Sequence, residues 1–374
     1  MALLPVEDAL ARLLNDATPV AETEMIPLSL ARGRVLGRDL AAKRTQPPFS
    51  ASAMDGYAVR AADITAIPAE LTVIGQSAAG HGFSGSVGEG RAVRIFTGAP
   101  LPEGADTVVI QENVERLEGE RIRIVEATAK GRHIRAEGLD FSESQRLLHA
   151  GERLDAGRLM LAAAMNHPLL PVLRQPVVAL LATGDELVPP GGDPEPDQII
   201  ASNSYGVAAV VEEAGGRVVD LGIAGDSLAA IQTAVEEAGE ADILVTLGGA
   251  SVGDHDLVQA ALTALGLTLD FWKIAMRPGK PLMFGRLGSR RVLGLPGNPV
   301  STLVCAHLFL RPLVARLAGR AEPETARRAV LGSPVAANDG RQDHLRARLT
   351  RRDDGQWIAT PFEKQDSSMV RTFA

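Results

Sequence analysis

Strand-length apolar runs alternate with helical stretches between residues 176 and 320, and this alternation constrains the fold more than any other feature of the chain. The apolar runs are VVALLAT, RVVDLG, DILVTLGG, LDFWKIAM and RVLGLP. The stretches 202–214, 227–238 and 256–265 between them have helical patterns. Strand alternating with helix is typical of a parallel, doubly wound sheet with right-handed crossovers. The pattern therefore predicts a mostly parallel α/β domain over residues 176–320.

The rest of the chain divides into segments of different character. Residues 45–139 contain short β-like stretches separated by glycine clusters and predict a mainly β module. Residues 1–44 and 140–175 are helical and then extended, which indicates an elongated stem into which the β module is inserted. Residues 325–374 have the pattern of a small β module. A length of 374 residues agrees with several domains, so the predicted fold class is multidomain α/β plus β.

Composition excludes several function classes. The net charge of −8 argues against a nucleic-acid partner, because binding a phosphate backbone requires a basic surface. A single cysteine, Cys305, excludes a disulfide framework and a multi-cysteine metal site. No apolar run approaches the roughly 20 residues of a membrane helix, and the N-terminal segment MALLPVEDALARLL has the spacing of an amphipathic helix. We therefore expect a cytoplasmic protein with no membrane partner.

Polar residues and glycines follow each apolar run of the predicted α/β domain. In chain order they are GDEL at 184–187, GDS at 225–227, GGASVGDHD at 248–256, RPGKP at 277–281 with Lys273 just upstream, and GNPVS at 297–301. Ligands of open α/β sheets bind outside the carboxyl ends of the strands. Because all of these segments are predicted to open on one edge of the sheet, together they indicate a binding site.

Each segment alone also has a purely structural interpretation. Asn298-Pro299 is a good helix start, and Asp226-Ser227 is a plausible cap. Gly248-Gly249 and RPGKP could be simple turns. The sequence Asp254-His255-Asp256 resembles part of a zinc site, but no other His or Cys stands at ligand spacing.

A combined interpretation accounts for the mixture of charges at these strand ends. Glycine loops and helix N-termini present backbone N–H groups to anions, and Lys273, Arg277 and Lys280 supply positive charge. Carboxylates in the same crevice would repel an anion unless Mg²⁺, which binds one or two carboxylates together with phosphates, lies between them. The residues thus favour a phosphate-and-magnesium site in which Glu186 and Asp256 hold the metal.

Several motifs of the chain, taken in order, resemble those of one family. They are SAMDGYA (52–58), FTGAPLP (96–102), TGDEL (183–187), GGASVGDHD (248–256), RPGKP (277–281) and LPGNPVS (295–301). Together they resemble the MoeA family of molybdopterin molybdenumtransferases, which includes the E domain of gephyrin and its plant relatives. The motifs extend over nearly the whole chain.

The resemblance implies a reaction, a cofactor and an assembly. The implied reaction is insertion of molybdenum from molybdate into adenylylated molybdopterin, with Mg²⁺ as cofactor and release of AMP. The implied assembly is an elongated homodimer in which the α/β domain of one protomer and the β domain of the other share each active site. Transient contact with other proteins of cofactor synthesis is also expected.

The motif matches assign site residues by position. The implied catalytic residues are Asp55, Thr97, Glu186, Asp226, Asp256 and Lys273. The implied substrate-binding residues are Arg135, Asp140, Gly248, Gly249, Ser251, Arg277, Lys280, Asn298, Ser301, Arg346 and Ser367. Among the latter, Ser301, Arg346 and Ser367 are expected to help hold molybdate.

The chain departs from the family pattern at some positions. Arg277 stands where lysine is also common, which keeps the charge but changes the arrangement of donors. The sequence Gly-Leu-Asp at 138–140 replaces the commoner Gly-Glu-Asp. The family usually continues with further strands after QDSSMVRTFA, so the module 325–374 is expected to be incomplete.

Other functions are less compatible with these features. A molybdopterin adenylyltransferase-like enzyme would consist of a single α/β domain, which residues 45–139 and the SAMDGYA motif argue against. A non-catalytic scaffold of the gephyrin kind would need added domains or a long linker. A nicotinamide-dependent dehydrogenase would carry G-x-G-x-x-G after the first strand of the α/β region, and that motif does not occur there.

Overall fold

The protein divides into two compact units in a computed structural model that describes residues 3–249, 257–321 and 327–372. The α/β unit comprises Met1–Met25, Gly33–Gly37 and Pro171–Ala374. The β unit comprises Ile26–Arg32 and Arg38–Leu170. The paired strands Thr23–Pro27 and Leu169–Leu173 run through points where the chain passes from one unit to the other.

The α/β unit is built on a six-stranded sheet. Its strands, in spatial order, are Arg217–Ala224, Val177–Thr183, Ile243–Leu247, Arg290–Leu295, Met283–Leu287 and Thr268–Trp272. The first four are parallel to one another, and Met283–Leu287 is antiparallel to both of its neighbours. The mostly parallel sheet confirms the predicted α/β fold, but sequence analysis did not predict Met283–Leu287 as a strand.

The strand Met283–Leu287 does not change the prediction that the polar segments open on one edge of the sheet. Thr268–Trp272 is antiparallel to Met283–Leu287, which is itself antiparallel to Arg290–Leu295. Two reversals leave Thr268–Trp272 running in the direction of the parallel strands. Its carboxyl end therefore opens on the same edge of the sheet as theirs.

Helices cover both faces of this sheet. They are Val6–Leu14, Asn203–Ala214, Leu228–Glu237, Leu257–Ala264, Pro299–Cys305 and Arg311–Leu317, with a π-helical turn Ala306–Leu310 joining the last two. Val178 and Leu180 of the first strand pack in the core cluster that contains Leu13 and Leu313. Ala179 and Leu181 face the opposite cluster, which contains Ile231. Both faces of the strand are therefore buried, which explains why its sequence is apolar at consecutive positions.

The helical run Pro299–Leu317 belongs to the first of these clusters. Judged by length and composition alone, it is the one helix among the described residues that could cross a membrane. However, 61% of its most apolar stretch is buried in the fold. Val300 and Leu310 are almost completely buried. Cys305, also in this run, is buried, and burial raises the pKa of its thiol to about 12. The run serves as a core helix of the α/β unit, and Cys305 packs in that core.

The end of the chain forms smaller β elements in the same unit. Val330–Leu331, Trp357–Pro361 and Ala347–Arg351 make a three-stranded sheet. Gln342–Asp343 pairs in parallel with Met276–Arg277, and Leu187–Val188 pairs in parallel with Ile199–Ile200. A 3₁₀ turn, Val370–Thr372, follows. The small C-terminal β module is therefore confirmed, and one of its segments pairs with the RPGKP region.

The β unit contains a second six-stranded sheet. Its strands, in spatial order, are Thr107–Ile110, Gly56–Val59, Arg91–Ile95, Ala69–Ser77, Arg121–Ile124 and Val114–Arg116. The unit also contains the paired strands Ala51–Ser52 with Ile134–Arg135 and Leu40–Ala41 with Arg146–Leu148, 3₁₀ turns at Leu28–Leu30, Ala61–Ile64 and Gln111–Asn113, and the helix Ala156–Ala164. Residues 45–139 contain all six strands of this sheet, and the division of the chain at residues 45 and 139 stays a prediction. The assignment of 1–44 and 140–175 to an elongated stem stays a prediction.

Gly56, inside the SAMDGYA motif, is required by packing within this sheet. Its strand lies between Thr107–Ile110 and Arg91–Ile95, and a Cβ at position 56 would overlap the carbonyl oxygen of Val109. Backbone cannot move aside as a flexible side chain can. We expect Gly56→Ala to destabilise the protein by about 2 kcal/mol or more, measured as a lower midpoint of denaturant unfolding.

Gly88→Ala is the matched control for this substitution. A Cβ at position 88 would lie 3.9 Å from Cδ of Arg91, which is an ordinary contact. Equal unfolding midpoints for the two variants would contradict the packing argument for Gly56.

Candidate functional site

A cavity of about 670 Å³ opens at the carboxyl ends of the strands in the α/β unit. Residues from four predicted segments line it: Glu186 of TGDEL, Asp226 of GDS, Gly248 and Gly249 of the glycine loop, and Asn298 and Ser301 of GNPVS. The structure thus brings together side chains and glycines that are far apart in sequence. Thr183, the last residue of the strand Val177–Thr183, also lines the cavity.

Glycine is required at the floor of this cavity for steric reasons. Gly249 has a φ of 61°, and a Cβ there would overlap the side chain of Val258. Gly248 has a φ of 100°, and a Cβ there would lie 3.0 Å from the carbonyl oxygen of Thr183. The N–H of Gly248 donates to the carbonyl of Leu295, so this glycine continues the sheet. The floor is therefore formed by closely packed backbone without side chains, which lets a ligand approach the main chain.

Two acidic loops lie at one side of the cavity and are held to each other. The N–H of Asp226 donates to Oδ1 of Asp185 at 3.0 Å, and the N–H of Asp185 donates to Oδ2 of Asp226 at 3.4 Å. The carboxylate of Glu186 folds back over Gly184, where a Cβ would overlap it. Ser227 caps the helix that follows by accepting from the N–H of Ala230. The capping role thus belongs to Ser227, and the carboxylates of Glu186 and Asp226 remain on the cavity wall.

The GNPVS loop meets the C-terminal segment of the chain at the other side. Asn298 occupies the N-cap position before Pro299, but its side chain makes no cap hydrogen bond. Its Nδ2 instead donates to Oγ of Ser367 at 3.0 Å, and the N–H of Val300 donates to the carbonyl of Ser367 at 2.9 Å. Asn298 and Ser367, both predicted to bind substrate, are therefore in direct contact.

A second cavity, of about 510 Å³, adjoins the first, and Ser301 and Pro281 line both. Predicted anion ligands surround it: Arg277, Lys280, Ser301, Arg346 and Ser367. Lys280 is exposed and has no ion-pair partner among the residues that the structure describes. Its ammonium group is therefore available to an anion.

Arg277 differs from Lys280 in being paired. Its Nε and Nη2 each donate to one carboxylate oxygen of Asp343 at 2.9 Å. These hydrogen bonds raise the pKa of Arg277. Sequence analysis did not predict this partner, because Asp343 is 66 residues away and is brought close by the pairing of Met276–Arg277 with Gln342–Asp343.

Arg346 is almost buried, with 7% of its surface exposed. Its Nη1 donates to the carbonyl of Met369 and to Oγ1 of Thr372, and its Nη2 donates to the carbonyls of Asp366 and Lys364. The guanidinium therefore holds the segment 364–372, which carries Ser367, in a fixed path.

Lys273 lies at the end of the strand Thr268–Trp272 and lines neither cavity as the structure describes them. Its backbone has a positive φ of 72°, and its Nζ lies 4.5 Å from the centroid of the Trp272 ring. The structure thus places its ammonium group against an aromatic neighbour.

Two predicted residues, Ser251 and Asp256, lie outside the described residues, as do Asp254 and His255. Among the described residues there is no group of three or more His, Cys, Asp or Glu side chains that could hold a metal ion. The carboxylates of Glu186 and Asp226 nevertheless line one cavity. Oxygen donors of this kind fit Mg²⁺, which needs one or two protein carboxylates and keeps several waters.

The β unit contains its own cluster of predicted residues. Thr97 donates twice to Oδ1 of Asp55, from its N–H at 2.7 Å and from its Oγ1 at 2.7 Å. These two hydrogen bonds lower the pKa of Asp55, and the charge of Arg94 lowers it further. The loops meet because the N–H of Ser52 donates to the carbonyl of Ala99 and the N–H of Gly98 donates to the carbonyl of Ser52. The motifs SAMDGYA and FTGAPLP are thus joined, and Asp55 is held ionised with its Oδ2 oxygen free of Thr97.

Arg135 and Asp140 lie beside the same motif. Arg135 is in the strand Ile134–Arg135, which pairs with Ala51–Ser52, and the N–H of Asp140 donates to the carbonyl of Gln46. Both residues are exposed. The structure therefore brings residues 133–140 (HIRAEGLD) next to the start of the SAMDGYA motif.

These features define a class of protein. A doubly wound α/β unit has a glycine-floored cavity at its strand ends, with carboxylates on one wall and a lysine in an adjoining cavity. A β unit presents a separate Asp–Thr pair. This combination suits a multidomain enzyme with an anionic ligand.

Comparison with known proteins identifies the class more closely. Residues 4–166 match the family model of the MoeA N-terminal region (domains I and II), residues 179–316 that of a probable molybdopterin-binding domain, and residues 328–374 that of the MoeA C-terminal region (domain IV). A molybdopterin molybdenumtransferase of Haemophilus influenzae is 37% identical over 85% of this chain and 78% of its own length. One from Bacillus subtilis is 34% identical over 99% of this chain and 88% of its own length.

A solved structure agrees with these relatives. The crystal structure of the molybdopterin biosynthesis MoeA protein from Pyrococcus horikosii matches with a TM-score of 0.81 and 32% identity, covering 100% of this chain and 92% of that one. The chain belongs to the MoeA family of molybdopterin molybdenumtransferases. It is an enzyme of molybdenum cofactor biosynthesis.

Proposed function

We propose that this enzyme inserts molybdenum from molybdate into adenylylated molybdopterin and releases AMP. The observation that supports this most is the pair of adjoining cavities in the α/β unit that share Ser301. One has a glycine floor and carboxylates, and the other contains the exposed cation Lys280. Such an arrangement suits a phosphate-bearing substrate in one cavity and an oxyanion in the other.

The glycine-floored cavity would hold the phosphoanhydride. Gly249 and Gly297 leave its floor without side chains, so the phosphates can approach the backbone closely. Glu186 and Asp226 would hold Mg²⁺ on the wall, together with Asp256. When bound, Mg²⁺ supplies the Lewis-acid charge that makes the anhydride oxygen a better leaving group. The carboxylates thereby become compatible with an anionic substrate, because their repulsion is offset.

The adjoining cavity would bind molybdate. Lys280 would donate charge-assisted hydrogen bonds to the tetrahedral oxyanion, and these are stronger than neutral ones. Ser301 lies between the two cavities and would donate from its hydroxyl. Arg277 would contribute less than Lys280, because Asp343 already accepts two of its hydrogen bonds.

Release of AMP that depends on molybdate is the direct test of this function. Purified protein with adenylylated molybdopterin and Mg²⁺ should release AMP at a rate that rises with molybdate and saturates. Chromatographic measurement of AMP would follow the reaction. AMP release at the same rate with and without molybdate would contradict the proposal.

We further propose a homodimer in which each catalytic centre takes its α/β residues from one chain and its Asp55–Thr97 pair from the other. A twofold dimer with Asp55→Ala in one chain and Lys280→Ala in the other would then contain one centre with neither substitution. At a molybdate concentration too low for the Lys280→Ala centre to work, random reassortment of the two variants should restore about a quarter of the wild-type activity. Heterodimers that form, as shown by a tag on each chain, but remain inactive would exclude shared centres.

A further inference from the structure

Within the described part of the chain, Arg94 is the one charged side chain that lowers the pKa of Asp55, yet no motif of the sequence identified it. It belongs to the strand Arg91–Ile95, directly before the FTGAPLP motif. In the sheet it lies opposite Tyr57, and Phe96 follows two positions later. Since alternate residues of a strand project to the same face, Arg94 and Phe96 share a face with Tyr57.

The guanidinium group of Arg94 contacts two aromatic rings. Its Cζ lies 5.0 Å from the centroid of Tyr57 and 5.0 Å from the centroid of Phe96. Tyr57 is buried, with 4% of its surface exposed. Contacts of this kind restrict the orientation of the planar group.

In that orientation Arg94 contacts the backbone next to Asp55. Its Nη1 donates to the carbonyl of Gly56 at 3.1 Å, and its Nη2 donates to Oε1 of Gln111 at 2.7 Å. The N–H of Gln111 donates in turn to the carbonyl of Asp55 at 3.1 Å. Consecutive carbonyls, those of Asp55 and Gly56, are therefore both held through Arg94 and Gln111.

The opposite side of Asp55 is held by Thr97, which donates twice to Oδ1. Thr97 follows Phe96, one of the rings that Arg94 contacts. Both hydrogen-bond acceptors of Arg94 are neutral, so within the described part of the chain its charge is not cancelled by a direct partner. Arg94 and Thr97 together therefore fix the position of the Asp55 carboxylate and lower its pKa.

We propose that Arg94 is a positioning residue for Asp55. It fixes the backbone at residues 55 and 56 so that the Asp55 carboxylate meets Thr97 with Oδ1 and presents Oδ2 to the substrate. This inference rests on the proposed function, in which Asp55 contributes to the catalytic centre. A displaced catalytic group can cost about a hundredfold in rate, so the effect of Arg94 should be large although it touches no substrate.

A double-mutant cycle on the full-length enzyme tests the proposal. Arg94→Met should lower kcat for AMP release by about ten- to a hundredfold, with a much smaller change in KM. In an Asp55→Asn background the same substitution should have little further effect, because residues that act through one another are not additive. Arg94→Lys should recover part of the activity, since lysine keeps the charge but loses the two-armed geometry. Fully additive losses in the cycle would overturn the proposal.

Two further variants separate positioning from general damage. Gln111→Leu removes one hydrogen-bond acceptor of Arg94 without changing any charge. It should lower kcat for AMP release, but less than Arg94→Met does. Arg116→Met removes an exposed arginine that lines one cavity with Arg94 but, among the described residues, has no hydrogen bond to Asp55 or Gln111, and it should leave kcat unchanged. If kcat falls equally in Arg94→Met and Arg116→Met, the charge of the unit rather than the position of Asp55 is responsible, and the proposal fails.

A readout without activity completes the test. Hydrogen exchange at the amide of Thr97, which bonds to Asp55, should become faster in Arg94→Met and remain unchanged in Arg116→Met. If Asp55→Asn has no effect on AMP release, the role of Asp55 in the proposed function is wrong. If Asp55→Asn is inactive but Arg94→Met retains both normal kcat and slow exchange at Thr97, only the inference about Arg94 is wrong.

Discussion

The Glu186→Gln enzyme is expected to lose AMP release by more than about a hundredfold. Removing a group that merely supports a metal ligand already costs about 10- to 100-fold in metal affinity or activity, and the neutral amide removes a proposed ligand itself. Binding of molybdopterin without AMP should change far less, because that ligand lacks the anhydride that the metal contacts. AMP release across a Mg²⁺ titration, beside the binding measurement, would check both parts.

Glu212→Gln provides the matched control for this substitution. Glu212 is an exposed acid on the helix Asn203–Ala214 of the same unit and lines neither cavity. Its replacement should leave the Mg²⁺ dependence unchanged. A Glu186→Gln protein that responds to Mg²⁺ like the wild type would exclude Glu186 as a ligand and leave the metal to Asp226 and Asp256.

The second large effect is expected for Lys280→Ala. Removing one charged donor from a bound oxyanion should cost about 1.5–3 kcal/mol, or roughly ten- to a hundredfold in affinity. The molybdate concentration for half-maximal cofactor formation should rise by that factor. Tungstate, an oxyanion of similar size and charge, should be affected in parallel.

Lys43→Ala is a suitable control, since Lys43 is an exposed lysine of the β unit. Arg290, an arginine of the α/β unit, is unsuitable because its guanidinium donates to the carbonyls of Ala241, Val235 and Gly239. If a folded Lys280→Ala protein keeps the wild-type dependence on molybdate, Lys280 does not bind the oxyanion. Ser301→Ala would then be the next variant to measure.

Much of the α/β unit was predictable because its signals are local. The run VVALLAT was predicted as a strand and forms Val177–Thr183. The stretch 202–214 was predicted as helical and forms Asn203–Ala214. Hydrophobic periodicity indicates which faces of a strand or helix are buried. It can be recognised in a short stretch of sequence, without knowledge of distant residues.

Elements that lack this local signal were missed. Met283–Leu287 follows the proline- and glycine-rich RPGKP segment and was not recognised as a strand. Gly56–Val59 forms an interior strand of the second sheet although it lies within a motif that was interpreted for its chemistry. In both cases the strand pairs with two neighbours. Those of Gly56–Val59 are distant in sequence, whereas Arg290–Leu295 follows Met283–Leu287 directly along the chain.

The sequence by itself determined which residue types stand at the strand ends and which family the motifs resemble. Only the tertiary structure decided which of those side chains are available. Arg277 and Lys280 are equivalent as charges in the sequence, yet Arg277 is bound by Asp343, 66 residues away. Arg346, predicted to hold molybdate, directs its guanidinium to the carbonyls of residues 364–372. Arg94 acquires its contacts from Tyr57, Gly56 and Gln111. The physical reason is that the charge of a side chain is intrinsic, whereas its hydrogen-bond partners depend on strand register and long-range packing, which no local pattern encodes.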